Sequence, residues 1–351
     1  VGNKLTHILE KKRFWAGILL VQFLLFFIFS RMGFMGIFER FFEVRKGLHQ
    51  SLFQNLSFSA GDVLYVLLVL YLLILVAKIA RNKTRHPALL SFLVLLNVLY
   101  FTYQLHWGML YFQKPLSAKL PEGQTSPAAI KKLAFKYLAR CTETRKLVQE
   151  DRNGVFKVYA LHKIQTEILA NQTKIPRFLN QKKATHINSF KPSLYTGIMS
   201  YTGIMGYYNP FTAEAQYNPK LPSTYLPFTL AHESAHQLGY AREQEANFIG
   251  FLVGKNAENP DLRYSTEYFA LKSLLNALAE SEPEFVKGVI RKYSVQMKRD
   301  RLAEKMFVKR HSGMLDVFFG FTNDLFLKSN QQEGAITYSY FVDLLVRYEK
   351  M

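Results

Sequence analysis

Three stretches in the first third of the chain leave little choice of environment. Phe14–Ser30 contains no charged residue, and Val63–Ala77 contains none before continuing through Lys78 to Ala80. Pro87–Tyr103 is also uncharged, with Ser91 and Asn97 its most polar members. Each approaches the roughly 20 apolar residues that a helix needs to cross a hydrocarbon layer. A core helix of that length would keep a polar stripe for solvent, and none of the three does. The pattern predicts three transmembrane helices, at about 14–30, 63–80 and 87–104, in a membrane unit spanning residues 1–104. Tyr100, Tyr103, Trp107 and Tyr111 then form an aromatic cluster suited to a membrane interface. The first stretch follows Lys11-Lys12-Arg13 but ends in Ile28-Phe29-Ser30-Arg31-Met32, which lacks a small-x-small cleavage site, so it reads as a retained anchor.

Charge separates the partner classes. The formal net charge is +19, which raises nucleic acid or an anionic membrane as partners. No compact Lys/Arg block with interleaved aromatics occurs, and basic residues instead flank the apolar runs. Membrane is therefore the expected partner, and nucleic acid is not. Lys4, Lys11, Lys12 and Arg13 precede the first run, and Lys78, Arg81, Lys83 and Arg85 crowd the tight second loop. The longer first loop, residues 31–62, is less densely basic. The positive-inside rule then puts the amino-terminal flank and second loop in the cytoplasm. The large carboxy-terminal part lies on the outer side of the membrane. Within the first loop, Phe38, Phe41, Phe42, Leu48 and Leu52 recur at helical spacing beside Arg40, Arg45 and Lys46. This helix, about residues 35–53, lies in the membrane interface or packs on the soluble part. The single cysteine, Cys141, excludes an internal disulfide and any Cys-rich metal site.

Residues 105–127, ending in a Pro/Gly/Ser-containing run, read as a linker, and 128–351 as one soluble domain. Residues 128–150 and 158–170 show helical periodicity, as does most of the chain beyond Arg263. Between them, Phe211–Tyr217 alternates like a strand bounded by Asn209-Pro210 and Asn218-Pro219. An edge strand there would pair with an extended peptide, making Ala213 and Gln216 candidate substrate-lining positions. A plain structural strand is the competing reading.

The chemistry concentrates in residues 228–250. His232 and His236 stand four apart with Glu233 between them, in a stretch free of Gly and Pro from Phe228 to Leu238. On a helix that spacing stacks both imidazoles on one face, where they can grip one metal ion while Glu233 faces its water. Two histidines and a glutamate on a small-residue helix are costly to bury without such a metal. Arg242 occupies the position where the metzincin pattern needs its third histidine, which removes that class. Gly239 suits a helix C-cap, and a second helix is predicted from about Arg242 to Lys255. On it Glu245 falls with Ala246, Ile249 and Val253, whereas Glu243 falls with Asn247 and Gly250. An acidic residue on an apolar face needs a partner, so Glu245 is favoured over Glu243 as third ligand. Asn247 is a candidate to hydrogen-bond a ligand imidazole, or is an ordinary polar helix residue.

Several stretches together carry a resemblance. They are Phe58-Ser59-Ala60-Gly61-Asp62, Trp107-Gly108, Lys191-Pro192-Ser193-Leu194, Gly206–Thr212 and Glu214-Ala215-Gln216. Pro227–Gly250, Leu274–Leu278 and Asn323–Lys328 complete the set. By them the chain resembles an uncharacterised bacterial family of membrane proteins with HExxH, read as zinc peptidases and classed as domain of unknown function 3810. The resemblance implies His232, His236 and Glu245 as zinc ligands and Glu233 as the catalytic base. Glu245-Ala246-Asn247 is similar to the third-ligand element of other glutamate zincins, though Glu245 follows His236 unusually closely. Phe326 stands where a tyrosine is expected.

The expected fold is mainly α, with three transmembrane helices followed by an α+β zincin-like domain of the gluzincin type. The expected activity is hydrolysis of peptide or protein substrates by a Zn2+-dependent metallopeptidase, with Glu233 moving the proton. Tyr207, Tyr208, Tyr240, Tyr264, His186 and His311 are available to stabilise the oxyanion, and the sequence does not rank them. The alternative is a zincin-fold membrane sensor or scaffold without turnover.

Overall fold

The computed structural model describes residues 11–123, 125–313 and 337–351. Asn323–Lys328, with Phe326, and the flanking Lys4 lie outside the described residues. Three helices are long and apolar enough to cross a membrane: α1 (Lys12–Arg31), α3 (Ala60–Ile79) and α4 (Arg85–His106). α1 and α3 both pack on α4, and Asn97 of α4 donates to the Trp15 carbonyl of α1 at 3.0 Å. That bond gives a polar side chain a partner where water would be absent.

Between α1 and α3 runs α2 (Met35–Phe53). The expectation left open whether this helix meets the membrane or the protein. One of its faces packs on the protein and the other is exposed. Phe38, Phe42, Arg45, Lys46 and Gln50 are buried against the rest of the chain, while Ile37, Phe41, Val44, Leu48 and Leu52 are exposed.

The mainly helical remainder surrounds a small sheet. α5 (Pro127–Thr144) and α6 (Leu161–Asn171) precede β1 (Phe190–Pro192), a short α7 (Thr196–Thr202), β2 (Gly206–Asn209) and β3 (Glu214–Tyr217). Then follow α8 (Leu226–Leu238), α9 (Glu243–Gly254), α10 (Pro260–Ala277), α11 (Pro283–Arg291), α12 (Val295–His311) and α13 (Thr337–Tyr348). Local chemistry sets the helix starts. Ser126 accepts from Ala129 N–H ahead of α5, and Asn259 accepts from Asp261 and Leu262 ahead of α10, each with Pro next in line. The core forms where α8, α9 and α10 pack together, with Leu230, Ala231, Ala235, Ala246, Ile249 and Leu271 buried.

Two expectations need correction. The strand before α8 is not an edge. β3 lies in the middle of the order β1-β3-β2, parallel to β1 and antiparallel to β2, so its backbone has no free side for a peptide. Ala213 precedes the strand with φ 57° in the turn from β2, and both it and Gln216 are fully buried. Neither lines a substrate path. Nor do residues 105–127 behave as a loose linker. Trp107, Met109, Leu110, Tyr111, Leu116 and Leu120 are all buried, and Gln113 donates to the Gly239 carbonyl at 3.0 Å. Of the aromatic residues that the sequence assigned to a membrane interface, Trp107 packs against His236 and Tyr111 against Trp107, while Tyr100 packs on Phe26 of α1.

The start of α3 is fastened to the sheet. Glu214 of β3, fully buried, accepts from Ala60 N–H at 3.1 Å and Gly61 N–H at 2.7 Å. A carboxylate at a helix N-terminus satisfies orphan donors and opposes the helix dipole. Asp62 in turn accepts from Ser193 Oγ at 3.0 Å, Leu194 N–H at 2.7 Å and the Tyr207 hydroxyl. A Cβ on Gly61 would lie 2.3 Å from the Asn209 side chain, so only glycine permits this approach.

Candidate metal centre

α8 begins with Pro227 in its first turn and ends at Gly239, whose φ of 96° is the left-handed conformation that releases the chain. Arg242 then precedes α9, and Glu243 and Glu245 fall in its first turn, where acidic groups oppose the helix dipole. The two helices pack closely because Gly250 faces α8. A Cβ there would sit 3.0 Å from His232 N. The face of α9 turned to α8 is therefore that of Glu243, Asn247 and Gly250.

Three side chains converge. His232 Nε2 and His236 Nε2 are 3.1 Å apart, and Glu243 Oε2 and Oε1 lie 3.2 Å and 3.6 Å from them respectively. Their candidate ligand atoms all fall within 4.8 Å of one another. Glu245, the third ligand expected from the sequence, is elsewhere. Its Oε1 accepts from Leu116 N–H at 2.9 Å and pairs with Arg242 at 3.1 Å. The reasoning that Glu245 needs a partner was sound, but the partner is an arginine and a backbone amide.

The donor set fits a divalent metal. His232 Nδ1 lies 2.8 Å from Asn247 Oδ1, and His236 Nδ1 lies 2.6 Å from the Tyr240 carbonyl. Each Nδ1 faces an acceptor and so carries the proton, which leaves both Nε2 lone pairs facing each other and the Glu243 carboxylate. Two such lone pairs repel unless a proton or a metal ion lies between them. Ligands about 2.0–2.1 Å from a tetrahedral zinc stand roughly 3.3 Å apart, close to the spacing seen. Electrostatics agree in sign. Burial alone would lower the His236 imidazolium, yet Glu243 beside it outweighs burial and lifts it to about 9. Burial would raise the Glu243 carboxyl, and the two imidazoles push it well below the usual carboxylate range. The pocket favours positive charge at this point.

Glu233 is on the same helix, nearly fully buried, and its Oε2 has no hydrogen-bond partner among the described residues. Burial pushes its carboxyl up to about 7, against the pull of His232 and His236. β2 passes directly over it. A Cβ on Gly206 would lie 2.7 Å from Glu233 Oε1. Sequence reasoning missed Gly206, although a glycine opening a strand is a signal of close approach. It also missed Trp107, whose ring meets His236 edge-on at 5.7 Å. Tyr111, buried beside it, has its phenol raised by burial, with Tyr103 and the Glu243 carboxylate adding.

Of the proposed oxyanion donors, Tyr207 is engaged by Asp62, Tyr240 donates to Asn180 at 2.8 Å and Tyr264 to Asp300 at 2.8 Å. His311 packs on Phe307 and Tyr201, away from α8. Tyr208 stacks on Trp107 at 4.8 Å, one ring removed from His236.

The family described as "Protein of unknown function (DUF3810)" matches the chain over residues 38–346. No curated protein and no solved structure matches it. The stretches that carried the resemblance in the sequence meet here: 58–62 and 191–194 where α3 joins the sheet, 206–212 over Glu233, and 227–250 as the centre itself.

Proposed function

Because this chain belongs to the DUF3810 family, whose description carries no function, its activity has to be argued from its own site, and we propose a membrane-anchored metallopeptidase. The observation that carries the proposal is the pair of Nε2 atoms 3.1 Å apart, each with its Nδ1 already committed to an acceptor, closed by Glu243. His232, His236 and Glu243 would hold the metal, and zinc suits this nitrogen and carboxylate set. When bound, such an ion supplies Lewis acidity and a water of lowered pKa. Three protein donors cluster among the described residues, which favours a site with an open position over a closed structural one.

The chain's own groups would do the rest. Asn247 and the Tyr240 carbonyl fix both imidazole tautomers. Glu233, with one oxygen lacking a partner and a carboxyl poised near neutrality, accepts a proton from the attacking water and returns it to the leaving amine. Gly206 keeps the space beside that carboxylate open. As the edge strand that passes over Glu233, β2 replaces β3 as the strand beside which an extended peptide would lie. The Lys/Arg distribution supports an extracytoplasmic active site, with α1, α3 and α4 as the anchor.

The test is Glu233→Gln in the full chain. It should retain metal and lose hydrolysis, read by comparing new peptide termini in membranes of cells carrying wild type or variant. Identical termini in both would sink the assignment.

A further inference from the structure

The metal centre is joined to the ends of the membrane helices with almost no intervening chain. Trp107 is the residue immediately after α4, and its ring meets the His236 imidazole at 5.7 Å. Phe42 of α2 contacts the same tryptophan at 6.1 Å, and its ring is 2.8 Å from where a Cβ on Gly239 would be. The end of α1, the start of α3 and the end of α4 all lie on one side of the three-helix unit. α2 bridges the first two of these ends.

α2 is inverted relative to a soluble helix. Two of its three cations face inward: Arg45 donates to the Pro210 and His106 carbonyls, and Lys46 to the Lys183 carbonyl at 2.7 Å, while Arg40 is exposed. Its outer face is Ile37, Phe41, Val44, Leu48 and Leu52, with Val44 77 % exposed and Leu48 61 % exposed. A water-facing helix places these groups the other way round. Continuity with the span ends at Arg31 and Ala60 identifies the apolar medium as the bilayer itself.

We infer that α2 lies in the headgroup layer and holds the metal centre at the bilayer surface, so that its substrates are polypeptide segments tethered there. A helix with side chains is about 10–12 Å across, which sets the height of the centre above the lipid-facing stripe. The depth of the centre stands independently of the peptidase reading; the substrate class rests on it.

The test uses the full chain in phosphatidylcholine/phosphatidylglycerol nanodiscs. The chain has 2 tryptophans, so Trp15→Phe leaves Trp107 as the reporter beside His236. Headgroup-nitroxide lipid should quench Trp107 at least threefold more than nitroxide at the middle of the acyl chain. No quenching by headgroup nitroxide would overturn the inference. Leu48→Cys offers a second probe, because the only native cysteine, Cys141, is fully buried. A bimane at Leu48→Cys should be quenched by shallow acyl nitroxide and protected from iodide. The reverse, as expected if a second protein copy or water covers α2, would overturn it. For the substrate class, a degenerate fluorogenic peptide library is anchored by palmitate through a short or a long flexible spacer. The metal-loaded protein should cleave the short-spacer form at least tenfold faster. Preference for the long spacer overturns the substrate class alone. No cleavage of either overturns the peptidase reading and the substrate class with it, while the quenching result still decides the depth.

Discussion

Glu243 and Glu245 stand two residues apart, and replacing each with alanine should produce opposite failures. Glu243→Ala would remove one of the three proposed metal donors. Loss of a group that only supports a ligand already costs about 10–100-fold in metal affinity, so loss of the ligand itself should cost about 100-fold or more. With zinc at about 1,000 times the wild-type dissociation constant, binding stabilises the wild type by about 4.1 kcal/mol. At the same zinc level a 100-fold weaker site gives only about 1.4 kcal/mol. Glu245→Ala leaves that increment alone and damages the apo protein. It strands the buried Leu116 N–H and deprives Arg242 of its carboxylate, although Arg242 keeps the Gln113 carbonyl at 2.7 Å. An orphaned buried donor costs about 1–3 kcal/mol, and the partly solvated ion pair adds a smaller amount, for a total of about 1–4 kcal/mol. Thermal unfolding in detergent with and without zinc, alongside metal content by mass spectrometry, separates the two effects. If Glu245→Ala abolished the zinc-induced stabilisation and Glu243→Ala kept it, the assignment of the third ligand would be refuted.

Three further outcomes follow from the same geometry. Gly206→Val would place a side chain against Glu233 Oε1, so hydrolysis should fall about 100-fold through misplacement of the base. Metal content should stay unchanged, and a matching loss of metal would mean that β2 supports the ligands instead. Asn247→Leu removes the acceptor from His232 Nδ1 and should weaken zinc binding about 10–100-fold in a chelator competition, with little effect on apo stability. Burial holds the Lys182 ammonium down at about 8, against 10.5 for an ordinary lysine, with Glu39 and Glu43 opposing the shift. Between those values the unfolded chain binds a proton that the folded chain has released, so stability rises with pH across that window. Wild type should therefore gain on Lys182→Met between about pH 8 and 10.5 in denaturant titrations, and a constant difference would show that Lys182 titrates normally.

Much of the architecture was legible because its signals are local. Uncharged runs specify helices that no aqueous face can accommodate, and the run from Phe228 closed by Gly239 specifies a helix and its end. Glu245 was expected to join His232 and His236, whereas Glu243 clusters with them, and the sequence already held a sign of that. Asn247 was expected beside a ligand imidazole, and Asn247 shares a helix face with Glu243, four residues away, rather than with Glu245. Gly250 continues that face, and a glycine in mid-helix marks where a neighbour approaches. The apolar side of α9, containing Glu245, is simply the side facing the core and residues 113–116. The central position of β3 was not legible, because strand order depends on non-local pairing that a run of four residues does not encode. The packed state of residues 105–127 was hidden for a related reason. Aromatic residues after a span suit a lipid interface and a protein core equally well, and only the arrival of α8 decides between them.

The membrane helices do more in this fold than tether it. Each of three junctions touches a different working part. The C-terminal boundary of α4 supplies Trp107, which packs on the ligand His236. α2 supplies Phe42, which fills the space at Gly239 where the chain turns from the histidine helix towards Glu243. The N-terminus of α3 is held by Glu214 of β3, and β3 pairs with β2, whose Gly206 lies against Glu233. A boundary drawn at residue 127 would cut all three connections, and one at residue 104 would cut those of α2 and α3. Either would expose Glu214 without the helix donors it satisfies and leave Gly239 without Phe42. The smallest unit that keeps His232, His236, Glu243 and Glu233 in register therefore includes α2 and the adjoining ends of α3 and α4.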